Sequence, residues 1–384
     1  MKIAIDTLFE HPERPTGATD YLRNVVRVLP KVGPENSYHL LASPRNIRHF
    51  QEFRQPGIHL VNCYVSNENM PLRIAVQQSL IPILMKRHAL DVLFSPGNVC
   101  PLLGHFCRVL KINTMHHCHT PQLIGRVRSL YRRVAFYESA KKADHIIANT
   151  ATTKQDICRF MDIPKGKVSV VTEAFYDVFA PVPSDLASKV TTRYGLRRPY
   201  LLFVSTLYPY KNVETLIRSL AHLVTEKGVD WELVIVGRDY DSQQPRLQSL
   251  ARDLGVSERT RFLGFVPTDD LPALYSAAQA FVFPSLVETF GKPLVEAMRC
   301  GVPVIASNTS CIPEVLGNAG LLVNPLDSQM MARAIYQTIV NMPLRQDLIA
   351  RGLLRAKQFS WGRGAKETLS VIEETFHKWR SKRR

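Results

Sequence analysis

Apolar and polar positions along this chain alternate between two patterns: short runs rich in β-branched residues, and longer stretches with helical spacing. Short apolar runs bounded by turn residues predict buried strands, and apolar positions recurring three and four apart predict the helices that cover them. KIAID at residues 2–6 opens the series, followed by HLLAS, DVLFS, RVLKINT, HIIANT and KVSVV. Each gap holds enough chain for a crossover helix or loop, so the strands are expected to lie parallel in a sheet built of βαβ units. The stretch from Tyr176 to Asp185 contains Pro181 and Pro183 and has no periodicity, and it reads as a linker.

A second series follows: YLLFVST, WELVIVG, RFLGF, AFVFPS, PVIAS and GLLV, with helices such as Asn212 to Glu226 and Pro293 to Met298 between them. The expected fold class is therefore α/β, with two doubly wound Rossmann-like domains at residues 1–180 and 181–360. Such sheets bind ligands at the carboxyl ends of their strands, here in a crevice across which the two domains would face each other. A length of 384 residues, 45% of them hydrophobic, is too much for one ordinary core and suits two. From Trp361 onward the chain reads as a single helix with a basic end, long enough to pack back on the first domain.

Composition changes this picture little, but charge adds to it. No run reaches the roughly 18 to 20 apolar residues of a membrane span, and MKIAIDTLFEHPERP meets charge too early for a secretory signal. The expected location is the cytoplasm. Seven cysteines, scattered and without a C-x-x-C pair, read as reduced thiols. The 49 Lys and Arg against 33 Asp and Glu give +16, which draws a protein to phosphates, nucleic acid or anionic lipid. Arg126, Arg128, Arg132, Arg133, Lys141 and Lys142 crowd one stretch, and Lys378, Arg380, Lys382, Arg383 and Arg384 end the chain. A solvated basic face and an anionic membrane surface are both open readings. The second would make the protein peripheral on the inner face of the cell membrane.

Candidate chemistry concentrates in residues 281–325. A strand ends near Pro284, a loop carries Glu288, Thr289, Phe290, Gly291 and Lys292, and a helix opens at Pro293. Amides around Gly291 would then face the crevice at a helix N-terminus, where phosphate oxygens are stabilised. Glu288 and Glu296, with seven residues between them, can address opposite ends of one ligand. Ionised carboxylates accept hydrogen bonds only, which suits vicinal hydroxyls of a ribose or hexose.

E-T-F-G-K-P-L-V-E resembles the E-x7-E motif of family-4 glycosyltransferases of the GT-B fold. RFLGFV, DLPALYSAA, FVFPS, EAMRCGVPVIAS and PEVLGNAGLLV match that family's order and spacing. The likeness covers nearly the whole chain. It implies that Glu296 holds the donor's ribose, that Glu288 lies beside the transferred sugar, and that backbone at Phe290, Gly291 and Lys292 meets sugar and phosphates. YLLFVSTLYPYKNVETLIRSL resembles the family's diphosphate-binding segment, with Lys211 as the basic residue. Thr206 and Tyr210 stand where many members have arginine, which leaves phosphate binding more dependent on Lys211 and on backbone amides. An ammonium there would neutralise charge developing on the leaving diphosphate. The resemblance also gives Gly17 a role in backbone approach to the phosphates, and His116 a role at the sugar hydroxyls.

Two strings invite metal readings. HHCH at residues 116–119 has zinc-ligand chemistry, but neighbouring side chains point apart and no partner motif is evident. Asp239–Tyr240–Asp241 follows a predicted strand and reads as a turn. No cofactor or metal is expected. The resemblance implies a retaining transfer from a nucleotide diphosphate sugar, with GDP-mannose the first choice, to a hydroxyl of a glycan or lipid-linked acceptor, and no nucleic-acid partner. A nucleotide-sugar epimerase of the same architecture, or a basic binding module for nucleic acid or membrane, are the alternatives.

Overall fold

The computed structural model describes residues 1–11, 17–64, 70–121, 126–173 and 178–383. Residues 12–16 before Gly17, the linker residues Tyr176 and Asp177, Arg384 and the side chains of Arg126 and Arg128 lie outside this description. The chain divides into two units, one of residues 1–174 and 360–384, the other of residues 175–359.

In chain order, the first unit contains β1 (Lys2–Asp6), α1 (Gly17–Val32), β2 (Ser37–Ala42), α2 (Ile47–Gln51), β3 (Ile58–Asn62) and α3 (Met70–Arg87). It continues through β4 (Val92–Ser95), β5 (Cys107–Ile112), α4 (His116–His119), α5 (Arg126–Lys142), β6 (His145–Ala148), α6 (Ala151–Met161) and β7 (Val168–Val170). The seven strands form one parallel sheet in the order β3-β2-β1-β4-β5-β6-β7. Every residue of β4 and β5 is buried, as befits central parallel strands covered on both faces. β3 was not anticipated. Its IHLVN is half-exposed at the sheet edge, and with His59 inside it lacks the continuous apolar run of its neighbours.

In the second unit, α7 (Ser184–Arg193) precedes β8 (Tyr200–Val204), α8 (Val213–Lys227), β9 (Glu232–Val236), α9 (Gln244–Asp253) and β10 (Thr260–Gly264). Then come α10 (Leu271–Ala277), β11 (Ala280–Phe283), α11 (Lys292–Arg299), β12 (Val304–Ser307), α12 (Ile312–Leu316), β13 (Gly320–Val323), α13 (Ser328–Val340) and α14 (Met342–Ala356). Its six strands are again parallel, ordered β10-β9-β8-β11-β12-β13, around one continuous apolar core.

The last helix, α15 (Trp361–Ser381), belongs to the first unit. Ser360 caps it by accepting the Arg363 N–H. Ala365, Leu369, Ile372 and Phe376 recur at helical spacing and join the core beneath β1 and α1. The Tyr21 and Thr368 hydroxyls, 347 residues apart, hydrogen-bond at 3.2 Å. Beside them Lys111 is wholly buried, stands over the Tyr21 ring at 4.2 Å and pairs with Glu173 at 3.6 Å. All seven cysteines are free thiols, and burial pushes those of Cys63 and Cys100 up to about 12. Among the described residues no helix is long and apolar enough to cross a membrane.

One glycine controls the junction between the connections after β8 and β9. Gly237, just past β9, has φ +147°, and a Cβ on it would stand 1.8 Å from the Ser205 carbonyl oxygen. This close approach lets the connections after β8 and β9 run side by side, with Ser205 N–H on Val236 O and Leu207 N–H on Arg238 O. Gly237→Ala is expected to destabilise the second unit by about 3 kcal/mol through backbone strain and overlap. Denaturant titration checks this, and an unchanged midpoint would show that the junction relaxes freely.

Candidate functional site

Strand order in the second sheet reverses between β8 and β11, so the connections leaving their carboxyl ends part in opposite directions. A doubly wound sheet opens its ligand crevice at such a point. The Lys211 segment leaves β8 and the Glu288 segment leaves β11. Although 77 residues apart, Lys211 Nζ and Glu288 Oε1 meet at 2.5 Å, with the two residues 8% and 7% exposed. Buried charges persist only when paired, and here each is the other's partner. The ammonium also lies 5.3 Å from the Tyr210 ring and 5.5 Å from that of Phe283, and Tyr210 stacks on Tyr208.

The local chain explains the encounter. Pro209–Lys211 make one tight turn that ends on Asn212, whose φ of +57° is left-handed, a region asparagine enters more readily than most residues. Its side-chain amide donates to Pro284 O at 3.1 Å and Pro325 O at 2.7 Å, tying together the connections after β8, β11 and β13. Leu286 N–H donates to Tyr210 O at 2.8 Å. Ser310 holds Glu288 from behind: the Glu288 N–H donates to Ser310 Oγ at 3.1 Å, and that hydroxyl donates to Glu288 O at 2.6 Å. Thr309 Oγ1 and Ser307 Oγ both donate to Ser285 O. These positioning residues escaped the sequence reading; their one signal was the hydroxyl-rich string SNTS at the end of a strand.

Gly291 precedes α11 with φ +83°, and a Cβ there would lie 2.9 Å from Leu294 Cδ1. Pro293 sits in the first turn, where its missing N–H costs nothing. Phe290 is buried edge-on against Phe359. Thr289 and Lys292 are half-buried, as is Thr206, whose carbonyl accepts the Tyr208 N–H at 2.9 Å. On α11, Glu296 Oε2 accepts the Tyr275 hydroxyl at 2.9 Å. Burial first, then the Glu296 charge, pushes the Tyr275 phenol far up, so it stays a donor that orients the carboxylate. Tyr275 also escaped the sequence reading. A cation beside a helix N-terminus, with two carboxylates, can hold a phosphorylated, hydroxyl-bearing ligand.

In the first unit Gly17 is the exposed first residue of α1. His116 begins α4, its Nδ1 3.0 Å from Thr114 Oγ1, while Thr120 N–H and Oγ1 donate to its carbonyl. His117 turns inward, edge-on to Phe136, and His119 pairs with Asp156 at 2.7 Å. The three histidines of HHCH thus serve separate partners. Asp239 accepts the amides of Asp241, Gln243 and Gln244, which makes it the turn and capping residue ahead of α9. Among the described residues no group of three or more His, Cys, Asp or Glu is arranged to hold a metal.

Two tandem doubly wound units, one with a paired lysine and glutamate at its strand-order reversal beside a helix N-terminus, define an α/β protein of GT-B type. Residues 15–173 match the family described as Glycosyltransferase Family 4, and residues 191–355 match Glycosyl transferases group 1. The chain belongs to these two-domain glycosyltransferases. It is 32% identical over 255 residues to the O-antigen chain mannosyltransferase B of Escherichia coli, covering 66% of each protein. It is 26% identical to the D-inositol 3-phosphate glycosyltransferase of Corynebacterium aurimucosum over 97% of this chain and 96% of that one. Against the serotype-specific mannosyltransferase WbdA of Escherichia coli, also 32% identical, the chain spans only 28% of the relative's length. In fold it is similar to Anabaena Alr3699/HepE, solved in complex with UDP and glucose, with a TM-score of 0.76 and 20% identity over 97% of this chain and 100% of that one.

Burial, then Arg132 and Arg133, pushes the His117 imidazole down to about 4. The unfolded chain therefore takes up a proton here as pH falls below about 6.5, and the folded chain does not until near 4. Stability from this group is present above the unfolded value and is lost as pH falls through that window. His117→Phe, which keeps a ring against Phe136, is expected to flatten the decline in stability between pH 7 and pH 5. Unfolding midpoints for parent and variant at both pH values check this.

Proposed function

We propose that this chain is a retaining glycosyltransferase that moves a mannosyl group from GDP-mannose to a hydroxyl of a glycan or lipid-linked acceptor at an anionic membrane face. The Lys211–Glu288 pair beside the N-terminus of α11 carries the reading. The mannosyltransferase names of the relatives support the sugar. They do not bear on the base, and the fold neighbour bound UDP.

In this reading the donor diphosphate lies at the N-terminus of α11 and draws Lys211 from Glu288, so that ammonium and helix dipole together stabilise charge on the departing diphosphate. Glu288, released from its partner, accepts a hydroxyl of the transferred sugar. Glu296, oriented by Tyr275, accepts the ribose hydroxyls. Backbone at Phe290, Gly291 and Lys292 lines the phosphates and sugar, with Thr206 at the edge. A diphosphate oxygen takes the proton of the incoming hydroxyl on the same face of the sugar, which retains configuration. No metal, cofactor or nucleic acid takes part.

A panel of nucleotide sugars, read by thermal shift and by the anomeric configuration of product, tests the proposal: GDP-mannose is expected to protect most and to give the α-product. Lys211→Ala should weaken nucleoside diphosphate binding by about 1.5 to 3 kcal/mol, the loss of one charge-assisted hydrogen bond. Equal affinity in Lys211→Ala and the parent would sink the assignment.

The two glutamates separate kinetically. A ribose contact is equally strong in ground and transition states, so Glu296→Gln should raise the donor KM with a smaller effect on kcat. Glu288 faces a sugar that gains positive charge, so Glu288→Gln should lower chiefly kcat. Steady-state kinetics decide, and a pure KM effect in both variants would remove the catalytic role from Glu288.

A further inference from the structure

At the amino ends of β4 and β5 in the first unit, a single arginine holds a loop rigid. Arg108, 3% exposed, donates through Nε to Pro101 O, through Nη1 to Phe106 O, and through Nη2 to Leu103 O and Gly104 O, at 2.6 to 2.9 Å. Its guanidinium also lies 3.9 Å from the Phe106 ring centroid. At the tip of this loop Leu103 is 63% exposed. Gly104, with φ +87°, brings the loop against α3, since a Cβ on it would stand 3.1 Å from Pro82 Cβ. The next residue, Ile83, is 60% exposed, and Lys86 and Arg87 follow it at the three- and four-residue spacing that shares one helix face.

The other flank is the end of α15. Trp379 and Arg380 line a hollow with His105 and Phe106. The Arg383 guanidinium lies 3.9 Å over the Trp379 ring and 3.2 Å from His105 Nδ1. The acids Asp91, Asp144 and Glu374 are nearby and each is engaged: Asp91 accepts the Lys2 N–H at 2.8 Å, Asp144 accepts the Arg108 N–H at 2.8 Å, and Glu374 pairs with Lys378 at 3.7 Å.

We propose that this face is a docking surface for an anionic lipid bilayer, with Leu103 and Ile83 entering the acyl boundary and Lys86, Arg87, Arg380 and Arg383 meeting lipid phosphates. Singly exposed aliphatic residues need no explanation. Two of them on segments that meet at Gly104 and Pro82, one on a loop pinned by four hydrogen bonds and flanked by the indole of Trp379 and by four cations, make the amphipathic pattern that suits a membrane interface. A soluble polyanion would engage the cations and leave Leu103 and Ile83 in water, so the bilayer is the occupant this surface fits. The proposal deepens the reading of a membrane-face acceptor and rests on that reading for its purpose, while its physical test is independent of donor chemistry.

The experiment uses the full chain and vesicles of equal parts phosphatidylcholine and phosphatidylglycerol, with phosphatidylcholine alone as the control. The expected result is co-sedimentation with the anionic vesicles only, weakened by salt. Leu103→Asp and Ile83→Asp should each lower partitioning about tenfold or more, from the lost burial of one aliphatic side chain, with nucleoside diphosphate affinity unchanged. Should an aspartate variant fold poorly, the parent still decides: brominated acyl chains must quench fluorescence that Trp379→Phe removes. Partitioning of folded Leu103→Asp equal to the parent, an absence of binding at low salt, or an unquenched Trp379 would each overturn the proposal. Vesicle binding without nucleotide binding would instead leave this surface standing and reject the glycosyltransfer reading.

Discussion

A lysine and a glutamate that are each more than nine-tenths buried can exist in the second unit only because they touch. Breaking such a pair leaves an uncompensated buried charge, at about 3 to 5 kcal/mol, so the surrounding chain must keep two distant loops in fixed register. The sheet provides the coarse placement, since parallel strands send both loops out at the same edge and the order reversal leaves room between them. The fine placement is polar: the Asn212 amide spans two carbonyls, and Ser310 grips both the N–H and the carbonyl of Glu288. Each bond satisfies backbone that a buried loop would otherwise leave unpaired. The features that fix the site and those that stabilise the loops are therefore the same residues.

The first unit solves a different problem, closing a sheet whose helix layer is supplied partly from the far end of the chain. The buried stripe of α15 packs under α1, and the Tyr21–Thr368 hydrogen bond sits in that seam. Because this helix contributes core rather than a peripheral strap, the first unit is incomplete until the whole second unit has been traversed. The same helix then ends in Trp379, Arg380 and Arg383, and so joins the stability of the unit to the character of its surface.

Much of this was legible in the sequence because parallel-sheet strands are buried on both faces and write themselves as unbroken apolar runs. VLFS, YLLFV and AFVF are examples, buried at every position. The half-exposed edge strand β3 carries no such run and went unseen. The family resemblance singled out Lys211, Glu288 and Glu296, and the first two proved to be in contact. What was hidden has one physical cause: a hydrogen bond between segments far apart in sequence leaves no local pattern. Tyr275 reads as an ordinary helix aromatic, Ser310 as a turn serine and Asn212 as a helix start, until the fold brings each to its partner. Arg108 was hidden for another reason: its four acceptors are backbone carbonyls two to seven residues before it, and carbonyls have no sequence signature.

The ion pair also bears on how the proposed chemistry is set up. Lys211 Nζ and Glu288 Oε1 stand 2.5 Å apart with water largely excluded, so a ligand that separates them must offer an acceptor to the one and a donor to the other. An arriving diphosphate replaces one anion beside Lys211 with another, so the ammonium need not be desolvated afresh, and the helix N-terminus offsets the added negative charge. The carboxylate left behind is compensated only if a hydroxyl reaches it. A nucleotide without its sugar would strand Glu288, whereas the complete donor satisfies both halves of the pair, and on this reading the crevice favours intact donor over spent diphosphate through the very pair that ties its two loops together.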